Sequence, residues 1–525
     1  MTPRTGAREA GATAATDATG AAVAAGAPGA GAVLVAVDVG TSGARAAAFD
    51  LAGNRLLEVR SPYPTSSPRP LWAEQSAAAW QSASLAALRG LVHRLGPSSH
   101  VLAISLTGQC PSVALVDGRG RPLGPGLTYR DNRAEAEALE VRAKLGDRAI
   151  HHRTGHLPAA FHVAPKLLWI RRHEPDRFAA ARLALQPRDL VVLALTGEAV
   201  TEGSHAAATL VHDLRGRCWD PELLDAFELP ASLFPRLGRA DEVVGTLRPS
   251  IAAQLGLPAS TPVVLGGADS QACAFGAGVV EAGPVSEMAG SSTCLNAVVD
   301  EPLDVLEVTH YPHVAGPGFT TETGINTTGA AVTWVADRLY GGRTGRARAA
   351  DFARLDAETA ASPAGADGLL FLPVLADGER TDAALRGALT GLSLRHGRAA
   401  IARSALEGVA YAIRGQLDLL RDGGVPVTEL RVSGGDSRLA TWNQLKADVT
   451  GLPVRTIPGD AAVTGVAMLA GMGAGIYPDA AAAIAACVHP GLPFEPDPGT
   501  AATHRAGFEA WRALAASAAV RREEA

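Results

Sequence analysis

The sequence predicts an α/β protein made of two related halves with a ligand cleft between them, and three observations carry that prediction. At 525 residues the chain is too long for one hydrophobic core. Strand-like apolar runs alternate with amphipathic helical stretches along most of its length, which is an α/β layout. The stretch DVGTSGARAAAFD, Asp38 to Asp50, is echoed by EMAGSSTCLNAVVD, Glu287 to Asp300, with small residues in a tight turn between two apolar strands each time.

Composition narrows the classes of function. Hydrophobic residues make up 47% and charged residues 19%, as in a soluble globular protein. A net charge of −6 opposes a nucleic-acid or membrane-surface partner, which would want a basic field. Five cysteines, Cys110, Cys218, Cys273, Cys294 and Cys487, lack close pair spacing and read as reduced thiols of a cytoplasmic protein, neither a disulfide frame nor a zinc site. No apolar run of about eighteen residues could span a bilayer. Residues 1–30, rich in Ala and Gly, read as a flexible leader. The halves are expected at 31–262 and 263–515.

In chain order, Val33, Val35 and Val37 drive an alternating strand into Asp38, Gly40 to Gly43 turn it, and a second strand leads out. The glycines let backbone N–H groups approach an anion, while Thr41 and Ser42 add hydroxyl donors. A carboxylate there makes sense if Asp38 faces a hydrated Mg²⁺, although an ordinary Gly-rich hairpin fits the same residues and the lysine of a P-loop is absent. Arg55–Arg60 alternates as a third strand, Pro70–Val92 has helical spacing, and HVLAISLTGQC is a buried strand ending at Gln109 and Cys110. Ligands gather where such strands end, so these two are candidates for a pocket wall or simply a strand-end turn. TYRDNR sets Asp131 between two arginines, where it can meet a polyol or form an ion pair. Phe161 and His162 open a helix, His162 reading as structural. Ala184–Leu195 continues the alternation, Thr196–Thr209 reads as a polar loop, and Pro258–Pro262 as a linker.

Beyond that linker the chain restarts with the strand Val263–Leu265, which delivers GGADSQACAFGAG. Asp269 there can cap the helix that follows or accept a proton. After the second hairpin come a helix over Thr327–Tyr340, the turn FLPVLADGERT (Phe371–Thr381) and a long helix over Arg398–Leu420. RVSGGDSR then runs strand, Gly434-Gly435, helix, a surface against which a nucleotide can lie. Small-residue Ala461–Gly475 and the tail after Ala501 close the chain as helices.

The ordered set DVGTSG, LWAEQ, GQ, TYRDNR, PKLLWIRRHEP, LTGE, GGADSQ, GSST, FLP…GERT, GLSL…ALEGVAYAIR and SGGDSR resembles the FGGY family of carbohydrate kinases, and within it the xylulokinase branch, over roughly residues 33–515. The resemblance implies two actin-like, ribonuclease-H-like domains around an interdomain cleft, with sugar on the first and ATP·Mg²⁺ mostly on the second. It implies that Asp38, Thr41 and Ser42 form one phosphate loop, with Asp38 towards the metal, and Gly290, Ser291 and Ser292 the other. Gly329, Thr333, Gly434, Gly435 and Asp436 fall at nucleotide positions, Gln109, Cys110, Pro111, Asp131 and Phe161 at sugar positions, and Asp269 at the catalytic base, also beside the sugar. The chain departs from the pattern at Cys110-Pro111, where Met-His is usual, at Glu202 and His205, where the loop usually has an Asp, and at Val163 and Ala400. The implied activity is ATP-dependent phosphorylation of a small sugar, D-xylulose first, with ribulose, gluconate and erythritol as alternatives and a homodimer left open. An actin-like ATP-driven switch would need the hairpins but has no use for Asp269 beside Gln109 and Asp131.

Overall fold

The computed structural model describes residues 31–342, 345–376, 378–379 and 385–520; the expected leader and the end of the GERT turn, Arg380 and Thr381, lie outside them. The chain begins with the strand β1 (Ala32–Val39), whose alternation sends successive side chains to two different cores. Val33, Val35, Val37 and Val39 pack in one core with Trp80, Leu88 and Leu91 of helix α1 (Ala77–Leu95). Leu34 and Ala36 pack in another with Val463, Val466 and Leu469 of a helix more than 400 residues later. Both faces of the strand are therefore covered, and its run is nearly all apolar.

A hairpin joins β1 to β2 (Gly43–Phe49), which pairs antiparallel with β3 (Arg55–Pro62), while β4 (His100–Gly108) runs parallel on the other side of β1. Helix α1 begins only at Ala77, capped by Ser76; the expected helix from Pro70 is interrupted by a short strand, Glu74–Ser76, paired with Pro125–Leu127. Helices α2 (Val163–His173) and α3 (Pro187–Thr196) follow. The stretch expected as a polar loop instead holds a buried strand, Val200–Glu202, and the short helix α4 (Gly203–Ala207), because the Glu202 carboxylate caps the helix from inside.

Strands β5 (Val243–Thr246) and β6 (Pro262–Val264) complete the first sheet, in the order β5-β6-β4-β1-β2-β3. The short strand expected to restart the chain thus closes the first sheet, because Val263 and Val264 pair in parallel with Ile104 and Ser105. Helix α5 (Asp269–Gly276) leads from it into the second sheet. That sheet holds β7 (Pro284–Ala289), β8 (Thr293–Val299), β9 (Thr309–Pro312), β10 (Phe319–Ile325), β11 (Glu429–Gly434), β12 (Val454–Thr456) and β13 (Pro493–Phe494), ordered β9-β10-β8-β7-β11-β12-β13.

The two sheets share one plan. In each, a hairpin supplies two central strands, the first flanked by two parallel strands and the second by an antiparallel one: β6-β4-β1-β2-β3 matches β12-β11-β7-β8-β10. The echo in sequence is thus a repeat in topology, and the fold is a pair of actin-like α/β domains. Helices α6 (Gly329–Leu339), α7 (Arg398–Asp422) and α8 (Ala440–Thr450) pack on the second sheet. Helix α9 (Ala461–Gly473) crosses back to lie against α5 and the first sheet, and α10 (Ala501–Val520) ends the described chain. Among the described residues no helix is long and apolar enough to cross a membrane.

Candidate active site

The first hairpin closes on its own turn through the Gly40 N–H to the Gly43 carbonyl at 3.2 Å and is also held from below by side chains. Gln75 donates to the Thr41 carbonyl at 2.7 Å, and its own amide oxygen accepts from Trp80 Nε1 at 2.7 Å and from Gln109 Nε2 at 2.8 Å. The Tyr63 hydroxyl donates to the Gly40 carbonyl at 2.5 Å. Gln109 is buried and tied to this network, while Thr41 and Ser42 stand at the tip. Asp38, at the end of β1, receives Arg45 Nε on Oδ2 at 2.7 Å, and the same guanidinium reaches Asp460, the N-cap of α9. Burial raises the Asp38 carboxyl above its ordinary range, Arg45 opposing and Asp460 reinforcing the shift.

Asp269 comes to this hairpin from the first turn of α5. Among the described residues its carboxylate accepts only the neighbouring Ser270 N–H, at 2.8 Å, and the N-cap of the helix is Ala268, so a capping role falls away. Burial, and next the Asp38 charge, push Asp269 up to about 7, with Glu322 adding to the shift and Arg45 opposing it. A carboxylate with that pKa is matched to taking a proton near neutral pH.

The loop that carries Asp269 is fixed from its far side. Gly266 has φ +77°, and a Cβ there would lie 1.7 Å from the Leu106 carbonyl oxygen, so only glycine fits. Fully buried Arg188 on α3 donates to the carbonyls of Leu265 and Gly266, both at 2.9 Å. The Ala268 N–H donates to Ser204 Oγ at 2.9 Å, and Ser204 in turn donates to Glu202 at 2.5 Å. His205 Nδ1 also sits 3.0 Å from Glu202, whose carboxyl is held near 2 despite burial by His205, Arg188 and Ser204. The departure at Glu202 and His205 is therefore a buried support of the Asp269 loop.

Cys110 follows β4, and burial, then the Asp269 charge, pushes its thiol up. Three segments expected at the sugar are gathered by one side chain. Lys166, fully buried on α2, donates to the carbonyls of Pro111 at 3.1 Å, Thr128 at 2.7 Å and Phe161 at 2.5 Å. Phe161 itself is half-exposed beside His162, whose ring bonds the Ala208 carbonyl. Asp131 is differently placed. Its carboxylate is fully buried, accepts the Ala73 N–H at 2.6 Å and is gripped by Arg133, which lies 3.6 Å over the Trp72 ring. A ligand would have to displace Arg133 to reach it.

The nucleotide set gathers around the second hairpin. Thr328 and Ala330 donate to the Ser291 carbonyl, at 3.0 and 3.1 Å, and Gly329 to that of Gly290 at 3.1 Å, so the start of α6 is bolted to the turn. Gly290, Ser291 and Ser292 remain exposed, as does Thr333 one helical turn further on. Gly434 pairs with Ala289 at the base of the hairpin, and Gly435 follows in open space. The Asp436 side chain lies outside the described part. Gln271 of α5 reaches Asn296 at 3.2 Å on β8, which links the Asp269 helix to this second cluster.

The sequence of residues 33–276 matches the FGGY family of carbohydrate kinases, N-terminal domain, and residues 286–474 match the C-terminal domain. The chain belongs to the FGGY family of carbohydrate kinases. It is thus a phosphotransferase acting on an alcohol group. It is 31% identical to the xylulose kinase of Escherichia coli over 424 residues, 79% of this chain and 84% of that one. It is 32% identical to the glycerol kinase of Gloeobacter violaceus over 87% of this chain and 91% of that one. Its fold superposes on the crystal structure of xylulose kinase from Rhodospirillum rubrum with a TM-score of 0.86 at 31% identity, covering 92% of this chain and 98% of that one. Sequence reasoning about this FGGY chain missed Gln75, Lys166, Arg188 and Ser204. A lone cation inside a buried helical run, as in VAPKLLWI or QPRDLVV, was the available signal for two of them.

Proposed function

We propose that this kinase transfers the γ-phosphoryl group of ATP to a small ketose, D-xylulose first, with Asp269 as general base. The observation that carries the reading is the Asp269 carboxylate, pushed up to about 7 by burial and then by the Asp38 charge, without a side-chain partner among the described residues and close enough to Cys110 to act on its thiol. The sugar rests on the first domain against Gln109, Cys110, Pro111 and Phe161. The nucleotide lies along the second hairpin and Gly434-Gly435. As the sugar hydroxyl oxygen bonds to the γ-phosphorus, the bond from phosphorus to the ADP oxygen breaks and the hydroxyl proton passes to Asp269. Thr41, Ser42, Ser291 and Ser292 offer hydroxyl and backbone donors to the transferred group from both hairpins.

Among the described residues no three His, Cys, Asp or Glu side chains gather as a metal cluster. That suits Mg²⁺, which keeps waters and phosphate oxygens and needs one or two carboxylates. Asp38 fits as such a ligand, because Arg45 occupies Oδ2 and, among the described residues, leaves Oδ1. Bound there, the ion would neutralise charge on the phosphates.

The testing experiment is coupled ADP release across pentuloses, polyols, aldonates and glycerol. D-xylulose should give the highest kcat/KM. A higher value for glycerol or gluconate would overturn the substrate, and no ADP release with any acceptor would overturn the reading.

A further inference from the structure

Behind the Asp269 loop lies a separate cavity of about 620 Å³, with Glu202, His212, Arg217 and Asp241 of the first domain, Val314 of the second and Met472 of α9 in its wall. Its Met472 edge is remote from the first phosphate loop. Asp460, which caps the other end of α9, is tied through Arg45 to Asp38, and this 13-residue helix puts about 20 Å between its ends. The wall nevertheless includes supports of the catalytic loop. The N–H groups of Leu265 and Gly266 donate to the carbonyls of Glu242 and Ala240, at 3.0 and 2.8 Å, and Glu202 holds Ser204 under the Ala268 N–H.

Once internal pairs are subtracted, the cavity has a definite chemistry. Asp241 is met by Arg239 at 2.9 Å, Glu242 by Arg236 at 2.8 Å, and Glu202 by Ser204 and His205. Two groups are left over. Arg217 has no carboxylate partner among the described residues: its guanidinium donates to the carbonyls of Pro317 and Gly318 and lies 5.4 Å over the Phe319 ring. His212 is fully buried, and neither ring nitrogen has a hydrogen-bond partner among the described residues. Burial holds its imidazole down at about 4, hence neutral at pH 7 with one N–H to give. An unpaired guanidinium beside an unsatisfied buried imidazole suits an anion. Val314 and Met472 can cover the remainder of a small molecule, and the volume lies in the range of small-molecule sites.

We infer that this cavity binds a small organic anion, a carboxylate or a phosphate monoester, through Arg217 and His212, and that its occupancy reaches Asp269 through Glu202, Ser204 and the Ala268 N–H. The binding stands on the cavity alone; the transmission rests on Asp269 being the base.

The test is calorimetric titration of the full chain with citrate in one arm and glycerol 3-phosphate in the other. The preferred sugar of the ADP-release panel and a non-hydrolysable ATP analogue are present at saturation to block the phosphate loops. One anion should bind one-to-one, with Arg217→Met weakening it at least about tenfold and Ala315→Phe, which fills the cavity, abolishing it. No binding of either anion, or equal affinity in both variants, overturns the site. Bound anion should also change kcat of the wild type by about fivefold or more, a response that Ser204→Ala loses. An unchanged wild-type kcat at saturating anion overturns the transmission, whereas failure of the base itself is read separately from Asp269→Asn.

Discussion

A carboxylate that titrates near neutrality makes turnover pH-dependent in one direction. Asp269 stands at about 7 because burial, and then the Asp38 charge, penalise its ionised form. It must be ionised to accept a proton, so kcat/KM should fall as pH drops through about 7. Stability should move the other way: a folded pKa above the unfolded value means the native state holds the proton more tightly, so this residue's contribution grows as pH falls across the same window. In Asp269→Asn kcat should drop at least about 10² while calorimetric sugar affinity changes little; near-normal turnover in the folded variant would remove Asp269 from the mechanism. Lys166 offers a second residue-scale test. Burial brings its ammonium down to about 7, and three carbonyls take its hydrogen bonds. Lys166→Met takes the ammonium donor from the Pro111 and Phe161 carbonyls, while the Thr128 carbonyl keeps the Asp131 N–H at 3.0 Å; an unsatisfied buried group costs about 1–3 kcal/mol. The sugar KM should rise at least about tenfold with the ATP KM unchanged; equal rises in both would show that Lys166 does not organise the sugar wall.

At the scale of an element, the turn after β11 separates two kinds of glycine. Gly434 has φ +97°, and a Cβ there would lie 2.1 Å from the Ala289 carbonyl oxygen, whereas one on Gly435 meets nothing within 4 Å among the described residues. Gly434→Ala should therefore lower thermal stability by about 1–3 kcal/mol or more. Gly435→Ala should keep the wild-type melting temperature and raise the ATP KM alone, and a normal ATP KM would move the nucleotide elsewhere. The sequence made this element legible because strand, glycine pair and helix follow one another within a few residues. Both hairpins were legible for the same reason. What escaped was support at a distance: Arg188 and Ser204 reach the Asp269 loop from 77 and 64 residues away. The strand β6 was misassigned to the second half because its three residues look alike in either sheet, and only pairing with β4 decides. Asp131 was read between Arg130 and Arg133, yet local spacing could not say that Arg133 would grip both of its oxygens.

For the whole molecule, a sugar held by one domain and a nucleotide by the other must meet by closure of the pair. Small-angle scattering should show a smaller radius of gyration with D-xylulose and a non-hydrolysable ATP analogue together than with neither; an unchanged radius would argue for a preformed, static cleft. The repeat of the two sheets was visible in the echo of their hairpins. The return of α9 to the first sheet was not, because nothing local in a run of small residues says which of two sheets it will cover.

That return has a consequence for how the protein is made. Gly465 of α9 and Gly276 of α5 let the two helices touch backbone to backbone, where a Cβ on either would come within 2.0 Å of a carbonyl oxygen of the other helix. Leu34 and Ala36 on β1 lie in a core built late in the chain, by Ala272 and Phe275 of α5, Val463, Val466 and Leu469 of α9, and Tyr477 beyond it. On the ribosome the first sheet is therefore complete in hydrogen bonds long before one of its faces is shielded, and it must wait, apolar side open, until residues past 470 have emerged. Nascent chains halted before Asp460 should bind holdase chaperones and be cut by protease within the first domain, and chains released after Gly475 should resist both. Protection already present in the shorter chains would mean that the early half finds another cover while it waits.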